Sequence, residues 1–266
     1  ESISRENANQ YNNIKVRFLT HQGGCGGTRQ DAQSLARMLA GYVNNPNVAG
    51  ATVLSLGCQN LEIDIFKEAL SKLQAGNKKP VLIYDQQTEG TVNAFLSKII
   101  KNSFEEIKKA NLIERSPAPL TKLTIGLECG GSDGFSGITA NPTLGHVSDI
   151  LSDLGGKSIL AEFPELAGVE QELVNRCATA PLASKFLDLM KQYEKAAAKV
   201  GSGFDMNPSP GNIKDGLITD AMKSAGAAKK SGNAPITDVL DYTEYAKKAG
   251  VSLLCTPGND VESTTA

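Results

Sequence analysis

Most of the side chains able to do chemistry sit at three Gly-Cys corners. They are His21-Gln22-Gly23-Gly24-Cys25-Gly26-Gly27-Thr28, Gly57-Cys58-Gln59 and Glu128-Cys129-Gly130-Gly131-Ser132-Asp133-Gly134. Each follows a short apolar run that reads as a buried strand: Ile14 to Leu19, Ala51 to Leu56, and Leu123 to Leu127. In an open α/β sheet the carboxyl ends of parallel strands share one edge, and ligands bind there. Three cysteines at three such ends, Cys25, Cys58 and Cys129, are therefore candidates for one shared site. Cysteine thiolates serve as nucleophiles or metal ligands. A single Gly-Cys after a strand would read as simple packing; three in the same setting favour a site, with His21, Glu128 and Asp133 around it.

The third corner is the richest. Glycines at 130, 131, 134 and 137 let backbone approach a ligand closely, and Ser132, Asp133 and Ser136 supply polar groups suited to hydroxyls. His21 stands four residues before Cys25 and is a candidate base, because imidazole titrates near neutrality. Thr28 and Arg29 open the helix after the first corner, where a helix N-terminus and a guanidinium together suit a carboxylate. Glu162 and Glu165 flank Phe163-Pro164 at a further strand end, either as a base or as acids at a helix start. The Pro- and Gly-rich run 201–216 offers Asn207, and Lys214 follows, as substrate contacts. Cys177 reads as packing, Cys255 remains open, and His146 is the weaker of the two histidines.

The elements that must position these residues alternate. Helical spacing follows the first corner (Leu35, Met38, Leu39, Tyr42), then Ile65 to Leu73 closed by Gly76-Asn77, then Val92 to Phe104, with strands at Ala51 to Leu56 and Pro80 to Tyr84. Ser116-Pro117-Ala118-Pro119 reads as a linker. Beyond it the pattern restarts: strand Leu123 to Leu127, helix Leu144 to Leu154, strand Ser158 to Phe163, helices Val169 to Ala178 and Leu182 to Val200, and strand Val251 to Leu254. The expectation is an α/β protein of mostly parallel sheet with flanking helices, in two Rossmann-like lobes at 1–115 and 120–266. The second lobe carries 201–216 as a long loop without regular structure.

The chain has 266 residues, 40% hydrophobic and 21% charged, with a net charge of −2. This describes a globular protein with room for a real core. No basic stripe marks a nucleic-acid binder, and no apolar run is long enough to span a membrane as a helix. Five cysteines, odd in number and widely spread, do not form a secreted disulfide framework and fit a reducing cytoplasm. There is no CxxC, no HExxH, no GxxxxGK[ST], and the glycines of the first corner are out of register for dinucleotide binding. The start at Glu1 rather than Met leads to the expectation of a piece of a longer polypeptide.

At these residues the chain resembles the altronate dehydratase branch of the altronate/galactarate dehydratase family. The likeness runs through His21 to Ala32, Pro46 to Gly50 with Leu54 to Gln59, Glu128 to Ser136, Leu160 to Leu166, Gly201 to Thr219, and Cys255 to Glu262. Thr20 stands where the family pattern has Asn. The resemblance implies a dehydratase that converts D-altronate to 2-dehydro-3-deoxy-D-gluconate in hexuronate breakdown. A galactarate-type dehydratase and a non-catalytic sugar-acid binding fragment are the alternatives. It also implies dependence on Fe(2+) or Mn(2+), a small amino-terminal domain and a further carboxy-terminal stretch. Homo-oligomerisation stays open. For the metal, Cys25, Cys58 and Cys129 are the candidate thiolate ligands, with an iron–sulfur cluster as a less favoured variant; the competing picture has harder O/N ligands holding a single ferrous or manganous ion while the cysteines line the site.

Overall fold

The structure, a computed structural model, describes residues 14–73, 79–88 and 90–265. It is α/β with parallel sheets, in two compact units, Glu1–Ser116 and Pro117–Ala266.

In the first unit, α1 (Arg29–Asn44) leads to β1 (Ala51–Ser55), α2 (Ile63–Leu73), β2 (Val81–Asp85) and α3 (Val92–Ala110). The two strands pair in parallel, Ala51 with Val81 through Ser55 with Asp85. Apolar residues at helical spacing explain the packing: Ala40 and Val43 of α1 meet Phe66 and Leu70 of α2 in one cluster. Tyr84 packs with Phe95 and Ile99 in another, the Tyr84 and Phe95 rings edge-on with centroids 6.5 Å apart. The expected strand Ile14 to Leu19 does not form. The run has no strand partner among the described residues, and Phe18 and Leu19 are exposed. Apolar residues make a strand only where a sheet edge accepts their backbone groups. The expected stop at Gly76-Asn77 lies outside the described residues.

The second unit runs β3 (Thr124–Leu127), α4 (Ala140–Asp153), β4 (Lys157–Leu160), a 3₁₀ turn Phe163–Leu166, α5 (Glu170–Arg176), α6 (Ala180–Lys199), a 3₁₀ turn Phe204–Met206, α7 (Pro210–Lys214), α8 (Asp220–Lys229), β5 (Ile236–Leu240), β6 (Gly250–Leu254) and α9 (Asp260–Thr265). Its four strands are all parallel in the order β3-β4-β6-β5. Strand β6 is buried at every residue, as a central parallel strand should be. The core gathers Leu160, Phe163, Leu166, Leu173, Phe186, Val239, Val251 and Leu253, with the Phe163 and Phe186 rings edge-on at 5.8 Å.

Residues 201–216 are not the structureless loop expected. Phe204 stacks on Tyr193 of α6 at 5.8 Å, and Ser209 caps α7 in a reciprocal pair with Asn212. The short apolar content that hid this segment from periodicity is compensated by polar anchors. Strand β5 and helix α8 carry no clear periodic signal in their residues. Ile-Thr-Asp-Val-Leu offers only a short mixed run, and the small residues of α8 blur its amphipathic pattern.

Candidate functional site

In the first unit, the two Gly-Cys corners are stapled together by Asn60. Its Nδ2 donates to Cys25 O at 3.1 Å and Gly27 O at 3.0 Å, and its N–H donates to Gly24 O at 3.0 Å. Ser55 Oγ, at the end of β1, accepts from Gly57 N (3.1 Å) and Gln59 Nε2 (2.7 Å), which shapes the second corner. Gly57 needs its positive φ of 84°, and a Cβ there would meet Asp85 Oδ1 at 2.8 Å. Thr28 is the N-cap of α1. Its hydroxyl accepts from Asp31 N at 3.1 Å and donates to Asp31 Oδ2 at 2.8 Å, so it is committed to a capping box. The backbone and side-chain hydrogen bonds from Thr28 hold the Asp31 carboxyl below its usual range. His21, Cys25, Cys58 and Arg29 are exposed.

In the second unit, the carboxyl ends of β3 and β4 deliver Glu128-Cys129 and Glu162 to one edge of the sheet. Two lysines of the α8 region meet them. Lys230 pairs with Glu162, both buried, with 4% and 2% of their surface exposed. Lys223 pairs with Glu165 at 2.7 Å and also donates to Asn207 Oδ1 at 2.8 Å and Asn212 Oδ1 at 3.2 Å. Asn212 Nδ2 in turn donates to Ser132 O at 3.1 Å, and Gly134 N donates to Asp215 O at 2.8 Å. The 129–137 corner and the 207–216 segment are thereby zipped along one side. The Cys129 Sγ lies 3.0 Å from Ser132 Oγ. Ser132, Ser136, Glu165, Lys223 and Lys230 line a small crevice here.

Electrostatics separate the carboxylates. Burial pushes the half-buried Glu128 up to about 7, reinforced by the nearby Asp260 and Glu165 charges and opposed by the Cys129 N–H and Lys230. Burial also lowers Lys230, against the attraction of Cys129, Glu128 and Asp260. Asp133 behaves oppositely. Its Oδ1 accepts from Ser136 Oγ (2.9 Å), Ser136 N (2.8 Å) and Phe135 N (2.9 Å), and these bonds hold it below the usual carboxylate range. Asp133 and Ser136 thus build the turn, and a depressed carboxylate is a poor base.

The expected residues therefore divide. Glu128, Cys129, Ser132, Glu165 and Asn207 come together at one sheet edge, Asp133 and Ser136 support them, and Lys214 is exposed at the end of α7. His21, Thr28, Arg29, Cys25 and Cys58 belong to the first unit. Sequence reasoning missed Lys223, Lys230, Asn212 and Asn60. The lysines had a signal. Seven residues apart, they fall on one helical face, around Ser224-Ala225-Gly226-Ala227-Ala228, a stretch small enough to pack against backbone. Among the described residues no group of three or more His, Cys, Asp or Glu side chains could hold a metal ion. Glu128, Glu162 and Glu165 are interleaved with two ammonium groups, so this site does not fit a metal by its own donors.

Comparison with known proteins covers both units. A family profile described as D-galactarate/Altronate dehydratase, C-terminal, matches residues 120–266, and one described as D-galactarate dehydratase/Altronate hydrolase, second domain, matches residues 1–111. Altronate dehydratase of Bacillus subtilis (strain 168) is 39% identical over 96% of this chain and 50% of its own length. Altronate dehydratase of Escherichia coli (strain K12) is 34% identical over 94% of this chain and 50% of its own. Galactarate dehydratase (L-threo-forming) of the same organism is 31% identical over 81% and 42%. The chain thus spans about half the length of the curated relatives it matches.

Proposed function

We propose a sugar-acid dehydration for this chain, which belongs to the D-galactarate/altronate dehydratase family of hydro-lyases. The reaction is D-altronate to 2-dehydro-3-deoxy-D-gluconate and water, carried out as part of a longer polypeptide in a reducing cytoplasm. The observation that carries the chemistry is Glu128, a half-buried carboxyl at the end of β3 with a pKa of about 7, beside a buried lysine.

Altronate and galactarate are both 2,3-dihydroxy carboxylates. Dehydration requires removal of the weakly acidic C2 proton, and a base works best with a pKa near the working pH. Glu128 meets that condition. It takes the C2 proton, and the C–H electron pair forms the double bond as the C3–O bond breaks. The resulting enol becomes the 2-keto-3-deoxy acid when C3 is reprotonated. Negative charge develops on the carboxylate during proton removal and is stabilised by fixed cations and dipoles. On this reading Ser132 and Asn207 hold substrate hydroxyls.

The match to altronate dehydratases, longer and at higher identity than that to galactarate dehydratase, supports D-altronate over an aldarate. The test is to assay the full-length polypeptide for 2-keto-3-deoxy acid from D-altronate, galactarate and related sugar acids. Product from D-altronate is the expected result; none from any sugar acid would leave a binding role in its place. The metal dependence implied by the family resemblance belongs to the same assay. Chelation is expected to stop turnover, and Fe(II) or Mn(II) to restore it.

A further inference from the structure

The two lysines of the α8 region, Lys230 buried and Lys223 partly so, differ in how their N–H donors are used. An ammonium has three. Lys223 gives all three, to Glu165, Asn207 and Asn212, and so ties three segments together with nothing left over. Lys230 has one hydrogen-bond partner among the described residues, Glu162 Oε1. Two of its donors remain, and it lines the crevice beside Ser132 and Glu165. Buried acceptors face a similar imbalance: among the described residues Glu162 Oε2 and Glu128 Oε2 have no hydrogen-bond partner.

Buried polar atoms are nearly always paired, so such a concentration at one sheet edge calls for a ligand that supplies both kinds of group. A bare carboxylate offers acceptors only. Hydroxyl groups donate and accept, and vicinal hydroxyls match two spare N–H groups and two spare carboxylate oxygens. We infer that Lys230 is a catalytic acid of this site: it contacts the C3 hydroxyl of the sugar acid and protonates it as it leaves, with Glu162 holding the ammonium in place. The inference rests on the dehydratase reading above and assigns the group that this reading left open.

The protons balance. Glu128 takes the C2 proton, and the C–H pair becomes the C2–C3 π bond. The C3–O pair leaves with the oxygen, which takes a proton from Lys230 and departs as water. The enol O–H then returns a proton to the Lys230 amine, and C3 receives one from Glu128, leaving both groups as they began. Burial lowers the lysine's proton affinity, which favours donation.

The test uses the full-length enzyme with the sugar acid it turns over and with the 3-deoxy-3-fluoro analogue, since fluoride leaves without protonation. Lys230→Met is expected to lower kcat at least 100-fold on the natural substrate and less than 10-fold on the fluoro analogue. Lys230→Arg keeps charge and hydrogen bonding but cannot give up a proton at neutral pH, so it should bind substrate and fail to rescue kcat. Rescue by arginine means a structural role and overturns the inference, as does an equal loss on both substrates. The double variant Glu162→Gln/Lys230→Met removes both charges and guards against misfolding from an unpaired glutamate. A folded double variant with kcat within threefold of wild type also overturns the inference. The wild type supplies an arm free of folding effects: a basic limb in its kcat–pH profile that disappears with the fluoro analogue supports Lys230, and identical profiles count against it. Wild-type enzyme inactive on every sugar acid sinks the dehydratase reading itself, whereas an active wild type with a competent Lys230→Met sinks the inference alone.

Discussion

On the proposed reading Glu128 is the base of the second unit, and burial, more than any single neighbour, sets its proton affinity. A base of pKa about 7 is half ionised at neutrality, so kcat/KM should fall tenfold per pH unit well below 7 and level off above it until the basic limb assigned to Lys230 begins. The measured acid limb checks this; a limb near the ordinary carboxylate value would remove Glu128 from the role. Glu128→Gln should cost on the order of 10²–10⁴-fold in kcat, the range for losing a positioned base. The same shift has a stability consequence of definite sign. The folded carboxyl binds its proton more tightly than the unfolded one, so between its ordinary value of 4.5 and about 7 the folded state holds more protons. Stability from this group is therefore fully present below 4.5 and lost as pH rises through 7. Denaturant unfolding at pH 5 and pH 8 should show Glu128→Gln gaining on wild type at the higher pH, by about 1–2 kcal/mol after solvent screening of a half-buried group. Equal differences at both pH values would contradict it. Glu128 and Cys129 could be picked out in sequence because they follow a visible apolar strand. Lys230 was missed because its one local signal, a shared helical face with Lys223 around a run of small residues, is also carried by lysines that stay solvated.

At the scale of elements, what could be read depended on whether an element's own residues carry its pattern. Helices α1, α2, α3 and α6 show apolar residues at helical spacing, and strands β1, β2, β3, β4 and β6 are short apolar runs; all were visible. Helix α8 was not, because its buried positions are Ser224, Gly226, Ala227 and Ala228, chosen for size rather than hydrophobicity. The converse error was Ile14 to Leu19, apolar enough for a strand but without a sheet edge to pair with among the described residues. The reason for small residues is close approach. A Cβ on Gly145 of α4 would lie 2.2 Å from Lys229 O at the end of α8 and 3.0 Å from Gly232 N. Neither is a side chain that can rotate away. Gly145→Ala should therefore destabilise the protein by about 1–3 kcal/mol, despite alanine's better helix propensity. Because Lys230 follows Lys229 directly, the same variant should also lower kcat. Thermal unfolding with activity on the folded fraction measures both effects, and an unchanged midpoint would mean that α4 and α8 are not packed as closely as described.

At the scale of the whole chain, five cysteines spread over two units provide a reporter of both. The first unit exposes Cys25 and Cys58; the second holds Cys129 and Cys177 at intermediate depth and Cys255 at the end of the central strand β6. All five are free in the structure. Their reactivities should nevertheless spread widely, because the thiolate is the attacking species. Burial raises Cys177 and pushes Cys255 up to about 12, where the thiolate fraction at pH 8 is negligible. Time-resolved labelling of the folded chain with a disulfide reagent at pH 8, followed by peptide mapping, should find Cys25 and Cys58 modified first. Cys129 and Cys177 should follow, and Cys255 should react only at the rate of unfolding. Denaturation without reductant should bring the total to five. Early modification of Cys255 would show that the edge of the four-stranded sheet opens locally. If the chain works within a longer polypeptide, as proposed, slow modification of Cys25 and Cys58 there, against fast modification here, would show that further segments cover the corner that Asn60 staples together.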